Sequence, residues 1–203
     1  IFIEYGINYT AGQDIGACAG SPNVQIGLSN SPNLTYSWNP STNLSSTSIA
    51  QPNVSFFTGI SQDESIDYVV TVSDGICTIT DTVEVITYAL PVVDLGSDRE
   101  ICAGQTVSFN ASEPGNNVWS PPNVFNGNAQ TQTLTPTSNF TAVLTFTNAE
   151  GCSATDSANV VVHPSPIIDF IPSFVSSCSP YAWHGELGAL SEHADQIVWF
   201  IPG

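Results

Sequence analysis

Tyr68-Val-Val-Thr-Val-Ser-Asp-Gly-Ile-Cys-Thr-Ile-Thr-Asp-Thr-Val-Glu-Val85 is the stretch that decides the fold. Tyr68, Val70 and Val72 fall two residues apart, the period of a strand with one buried face. Asp74-Gly75 is a hairpin-turn pair. Cys77, Ile79, Val83 and Val85 then run back on the same period. The same plan returns as Ala142, Leu144 and Phe146, the turn Asn148-Ala-Glu-Gly151, and a return strand from Cys152 to Val162. Ahead of these hairpins, Val24, Ile26 and Leu28 match Val107, Phe109 and Ala111. Helix-period patterns are almost absent, so the chain reads as all-β.

The hairpin belongs to a larger repeat. Cys18-Ala-Gly20 recurs as Cys102-Ala-Gly104, 84 residues on, and Trp38-Asn-Pro40 recurs as Trp119-Ser-Pro121. Cys77-Thr-Ile-Thr-Asp81 recurs as Cys152-Ser-Ala-Thr-Asp156. A third copy opens at Cys178, 76 residues after Cys102, and reaches Trp199-Phe-Ile-Pro202. Fixed spacing of this length marks an array of small domains. The expected division is the last strand of a preceding repeat at 1–10, full repeats at 11–89 and 90–165, and the first half of a further repeat at 166–203. The sequence thus reads as a piece of a longer array. Short antiparallel strands, closely spaced turns and one Trp on a middle strand predict an immunoglobulin-like β-sandwich for each repeat. Trp38, Trp119 and Trp199 are the expected core aromatics. The links run through Ala89-Leu-Pro91 and His163-Pro-Ser-Pro166 without a Gly/Ser spacer, which predicts a rod in which each domain adds roughly 30–40 Å.

Charge narrows the partners. Eighteen acidic residues face one basic residue, Arg99, for a net charge of −17. Nucleic acid is excluded, because phosphate binding needs Lys and Arg, and contact with anionic membrane surfaces is disfavoured. Only 9% of residues are charged, and Ser, Thr and Asn number 60, so the polar surface is mainly neutral. Five Cys at repeat-equivalent places point to disulfides and an oxidising compartment. The expected pairs lie within repeats, Cys18–Cys77 and Cys102–Cys152, each tying loops at one end of a sandwich. Cys178 is left for a partner beyond Gly203. Metal binding by Cys would need closer spacing than any two of these residues show.

Catalytic constellations do not emerge, and no enzyme is expected. His163 sits at a link, and His184 and His193 lie in the third copy. There is no nucleophile elbow, zinc-protease motif or phosphate loop. No cofactor is expected, with Ca2+ the one candidate ligand: Asp63, Glu64, Asp67 and Asp74 cluster around one strand, and Asp94 and Asp98 lie near a repeat junction. The competing reading is solvated loop carboxylates, since neither cluster recurs well in the other repeat.

Asp94-Leu-Gly96-Ser-Asp98, Ile101-Cys-Ala-Gly104, the Trp-x-Pro motif and the Gly151-Cys-x-x-Thr-Asp156 hairpin together resemble the Ig-like and PKD-like repeats of giant surface adhesins in gliding Bacteroidota. The third copy looks nearer to PKD repeats, although Ile201-Pro-Gly203 stands where that family has Gly-Asp-Gly. The resemblance implies export by a type IX system, display on the cell surface, and a structural or adhesive role in a filament used for gliding, attachment or prey capture. It also implies O-glycosylation at Thr82 and Ser157, which follow Asp81 and Asp156 at equivalent places; the competing reading is that both side chains merely face solvent on a return strand. Expected partners are neighbouring repeats of the same chain, identical chains in a filament, and cell-surface glycans. The alternative is a ligand-binding adhesin module that recognises polysaccharide or a surface receptor, for which Phe174, Tyr181 and Trp183 form the local aromatic cluster.

Overall fold

A computed structural model describes residues 6–165 as twelve β-strands. The first six are β1 (Ile15–Cys18), β2 (Val24–Gln25), β3 (Thr35–Asn39), β4 (Asn53–Val54), β5 (Glu64–Ser73) and β6 (Thr78–Tyr88). The second six are β7 (Arg99–Cys102), β8 (Val107–Asn110), β9 (Asn116–Ser120), β10 (Thr131–Leu134), β11 (Phe140–Thr147) and β12 (Ser153–His163). Each set makes one four-stranded sheet and one two-stranded sheet. The orders are β1-β6-β5-β3 with β2-β4, and β7-β12-β11-β9 with β10-β8. The fold is all-β and immunoglobulin-like, and the two sets correspond strand for strand. By compactness the chain divides differently. Among the described residues, one unit holds residues 6–94 with Ala111–Val118 and Leu144–Asp156, and the other holds Leu95–Asn110, Trp119–Val143 and residues 157–165.

In the first sandwich the period-two stretch forms the long β5–β6 hairpin. Its register sets Tyr68 against Val83 and Val72 against Ile79. Tyr68, Val70, Val72 and Val83 are all fully buried on one face, as alternation demands. Trp38, on β3, enters the same core at 3% exposure, and its indole Nε1 donates to the Ile49 carbonyl at 2.9 Å. That bond lets a polar ring nitrogen be buried without loss. The Tyr68 hydroxyl likewise donates to the Thr42 carbonyl at 2.6 Å. Tyr9 packs in this core and donates to the Ala50 carbonyl, so side chains from before residue 11 help to fill it. Of the alternating residues ahead of the hairpin, Ile26 is buried, whereas Leu28 is 42% exposed because the strand ends at Gln25.

The second sandwich repeats the plan with different filling. Val107, Phe109 and Ala111 are buried, as are Ala142, Leu144 and Phe146. Trp119 is 4% exposed and donates to the Ala129 carbonyl at 2.9 Å. Phe109, Phe125 and Phe140 form edge-to-face pairs, and Phe125 stacks on Trp119. Arg99, the one basic residue, lies over the Phe109 ring at 4.1 Å and donates to the Ser108 and Leu95 carbonyls. Its half-buried charge therefore rests on a ring face and two carbonyls of the second sandwich.

The first and last strands of each set pair in parallel. β1 runs beside the far end of β6, with Ile15 opposite Val85 and Cys18 opposite Tyr88. β7 runs beside the far end of β12, with Arg99 opposite Val160 and Cys102 opposite His163. An aspartate opens both pairings: Asp14 accepts the Glu84 N–H at 2.9 Å, and Asp98 accepts the Asn159 N–H at 2.8 Å. Just past the strands, Ala19 N–H donates to the Tyr88 carbonyl and Ala103 N–H to the His163 carbonyl, both at 2.8 Å. The Cys-Ala-Gly motif turns away there, with Gly20 and Gly104 at positive φ.

Candidate functional site: the cysteine positions

The parallel pairing fixes where the cysteines stand. Cys18 ends β1 beside Tyr88, the last residue of β6. Cys77 immediately precedes Thr78, the first residue of β6. Eleven residues of extended strand separate the two places, about 36 Å at 3.3 Å per residue. A disulfide requires Cα atoms within about 7 Å. Cys102 and Cys152 stand in the same relation at the two ends of β12.

The expected within-repeat bonds are therefore not made, and the expectation that each ties one end of a sandwich is corrected. Cys18 is bonded to Cys152, with Cα atoms 5.5 Å apart and 134 residues between them in sequence. Cys77 and Cys102 are free and exposed. The two cysteines of one repeat stand at opposite ends of its sandwich and not at the same end. Parallel pairing to the return strand carries Cys18 to the end away from Cys77.

Both members of the bonded pair sit in built positions. Cys152 is 1% exposed, and its N–H donates to Asn148 Oδ1 at 2.8 Å across the hairpin turn. The first hairpin holds Cys77 in the same way, with its N–H donating to Asp74 Oδ1 at 2.7 Å. The Cys77 side chain is not covered, and its neighbour Ile76 is 93% exposed. Cys18 and Cys102 share a further device: Ser21 N–H donates to the Cys18 carbonyl, and Gln105 N–H to the Cys102 carbonyl, both at 3.0 Å. A disulfide of this kind persists in an oxidising compartment.

The remaining sequence candidates are dispersed. Trp38 and Trp119 are buried, each in its own sandwich, while Trp199 lies outside the described residues, as do Cys178, Phe174, Tyr181 and Trp183. Thr82 on β6 and Ser157 on β12 are exposed on their sheet faces. Of the acidic residues named as calcium candidates, Asp63, Asp74 and Asp98 accept hydrogen bonds from backbone N–H groups. Asp63 accepts from Ala89 at 2.8 Å, and Asp74 accepts from both Ile76 and Cys77. Those donors hold the Asp74 carboxyl below the usual range, first Cys77 and then Ile76. The Asn159 backbone N–H does the same for Asp98, and the Ala11 N–H and Thr10 hydroxyl do so for Asp81. Among the described residues, no three His, Cys, Asp or Glu side chains gather closely enough to hold a metal ion. No helix there is long and apolar enough to cross a membrane.

The Asp14 and Asp98 clamps escaped the sequence reading. Their signal was present, since an Asp stands four residues before both Cys18 and Cys102. Without the parallel strand, however, nothing said what it would accept from.

No family model matches the chain, and no curated protein matches it. Solved structures of similar fold include Drosophila OTK extracellular domains 3–5, at 13% identity and TM-score 0.45, covering 76% of this chain and 59% of that one. Titin domains I67–I69 match at 12% identity and TM-score 0.44, covering 77% and 65%. DIP-gamma IG1+IG2 matches at 8% identity and TM-score 0.42, covering 74% and 94%.

Proposed function

We propose that this chain is a structural segment of a long extracellular array displayed on the cell surface. The observation that carries the reading is the Cys18–Cys152 bond, which joins one sequence repeat covalently to the next. Repeats that are bonded to one another as well as linked by backbone suit a part that transmits tension. The composition supports the same reading. One Arg and no Lys leave trypsin-like proteases a single site, and that Arg is held against Phe109. A net charge of −17 on a skin rich in Ser, Thr and Asn keeps an exposed protein soluble.

In the finer form of the proposal, the array is a rod exported by a type IX system and used in gliding, attachment or prey capture. Thr82 and Ser157 carry O-linked glycans on exposed strand faces. Identical chains associate along neutral edge strands such as β3, where Thr35, Ser37 and Asn39 face outward. Immunogold electron microscopy on intact source cells tests the reading. Antibody to this chain should mark surface fibres at a regular spacing. Label that appears only after permeabilisation refutes surface display.

A further inference from the structure

We propose that Cys77 and Cys102 are the two halves of further bonds between repeats, built on the rule already realised by Cys18 and Cys152. The partner of Cys102 is the hairpin-turn cysteine of a following repeat, and the partner of Cys77 is the Cys-Ala-Gly cysteine of a preceding one. The proposal rests on the array reading but not on where the array is displayed.

Position carries the first part of the argument. Cys102 ends β7 opposite His163 as Cys18 ends β1 opposite Tyr88. The Ala after each is anchored to the last carbonyl of the return strand at the same 2.8 Å. Cys77 heads β6 as Cys152 heads β12, each with its N–H held by the side chain of an Asp or Asn in the turn. Each free cysteine thus occupies the place of a bonded one. Neither can reach the other cysteine of its own repeat along an eleven-residue strand.

Exposure carries the second part independently. Where the bond is made, the hairpin cysteine is 1% exposed. Where it is not, Cys77 is exposed and Ile76 beside it is 93% exposed, the most exposed of the large apolar side chains described. An uncovered thiol beside an uncovered Ile at Cys77 thus stands where Cys152 is bonded and covered. Formation of each bond takes two electrons and two protons from the thiols. A disulfide oxidant such as glutathione disulfide accepts them and leaves as two thiols.

The test is a tandem chain in which residues 7–165 are appended after Ser165. This keeps the spacing from His163 to the next Cys18 equal to that from Tyr88 to Cys102. Residues 6–165 hold all twelve described strands and the described core residues of both sandwiches, so each half carries both partners of its own Cys18–Cys152 bond. With Cys77→Ser in the first half and Cys102→Ser in the second, only the first Cys102 and the second Cys77 lack a partner within their own half. After folding with glutathione disulfide and peptic mapping, the proposal expects no free thiol and a peptide joining Cys102 to Cys77. Two free thiols alongside two intact Cys18–Cys152 bonds overturn it and leave the array reading standing. Absence of the Cys18–Cys152 bonds themselves overturns both.

Discussion

Tension applied to the ends of the chain gives a direct measurement of the cysteine connectivity. With Cys18 bonded to Cys152, the load passes from the amino-terminal segment across the sulfurs and out along β12. The 134 residues of sequence between those sites are then shielded, whatever unfolds within them. A fully extended chain spans about 3.5 Å per residue, so the unbonded 203-residue chain reaches about 700 Å. With the bond in place the reach falls to about 240 Å. Within-repeat bonds would instead lock segments of 59 and 50 residues, Cys18 to Cys77 and Cys102 to Cys152, and leave about 330 Å. Single-molecule force spectroscopy resolves these lengths easily. The expected record is a limit near the shortest value, lengthening by about 470 Å in one step when a reductant is added under load. A limit near the intermediate value, or full extension without reductant, refutes the strand-end argument that separates Cys18 from Cys77.

Further expectations follow from the same geometry. Cys18→Ser with Cys152→Ser removes closure of a 134-residue loop, worth about 5 kcal/mol in the chain-entropy model; urea denaturation should show most of that loss, whereas Cys77→Ser and Cys102→Ser should leave the midpoint unmoved. Trp119→Ala should destabilise its own sandwich by about 3–5 kcal/mol, since it empties the stack with Phe125 and removes the donor to the Ala129 carbonyl. Two glycines separate backbone strain from crowding in thermal melts. Gly59→Ala, at φ +66° in open space, should cost about 1 kcal/mol. Gly27→Ala, at φ +81° with its new methyl driven into the Ala50 carbonyl, the Tyr9 hydroxyl and the Trp38 ring, should cost about 3 kcal/mol or more. Asp98 is held below the usual carboxylate range by Asn159, so its contribution is fully present above the unfolded-state value near 3.9 and is lost as pH falls through the lower folded value. Acid titration of stability should therefore flatten in Asp98→Asn relative to the parent; an unchanged slope counts against the clamp.

Much of the fold was legible in the sequence because it is written locally. Tyr68, Val70 and Val72 announce a strand by their period, Asp74-Gly75 announces the turn, and Val83 and Val85 announce the return. A strand buried on one face needs that pattern wherever it sits, so both sandwiches could be read from it. Trp38 and Trp119 were legible for a similar reason, since each falls on a short strand where a core takes up so large an apolar ring. The structural role of Arg99 was not legible: the sequence marks it only as the one Lys or Arg side chain, and the Phe109 ring beneath it and two carbonyls beside it supply the reason for its place.

The cysteines divide the two sources of information most cleanly. Sequence by itself determined that Cys18 and Cys102 are equivalent, that Cys77 and Cys152 are equivalent, and that the first pair precedes the second strand while the second pair follows the hairpin turn. It could not determine which ends meet, because period-two patterning specifies which face of a strand is buried but not the direction in which its neighbour runs. That direction is settled by long-range hydrogen bonding, here Ile15 to Cys18 alongside Val85 to Tyr88 in parallel. Once β1 runs with β6 and not against it, Cys18 lies a full strand length from Cys77, and the tertiary structure gives it Cys152 instead.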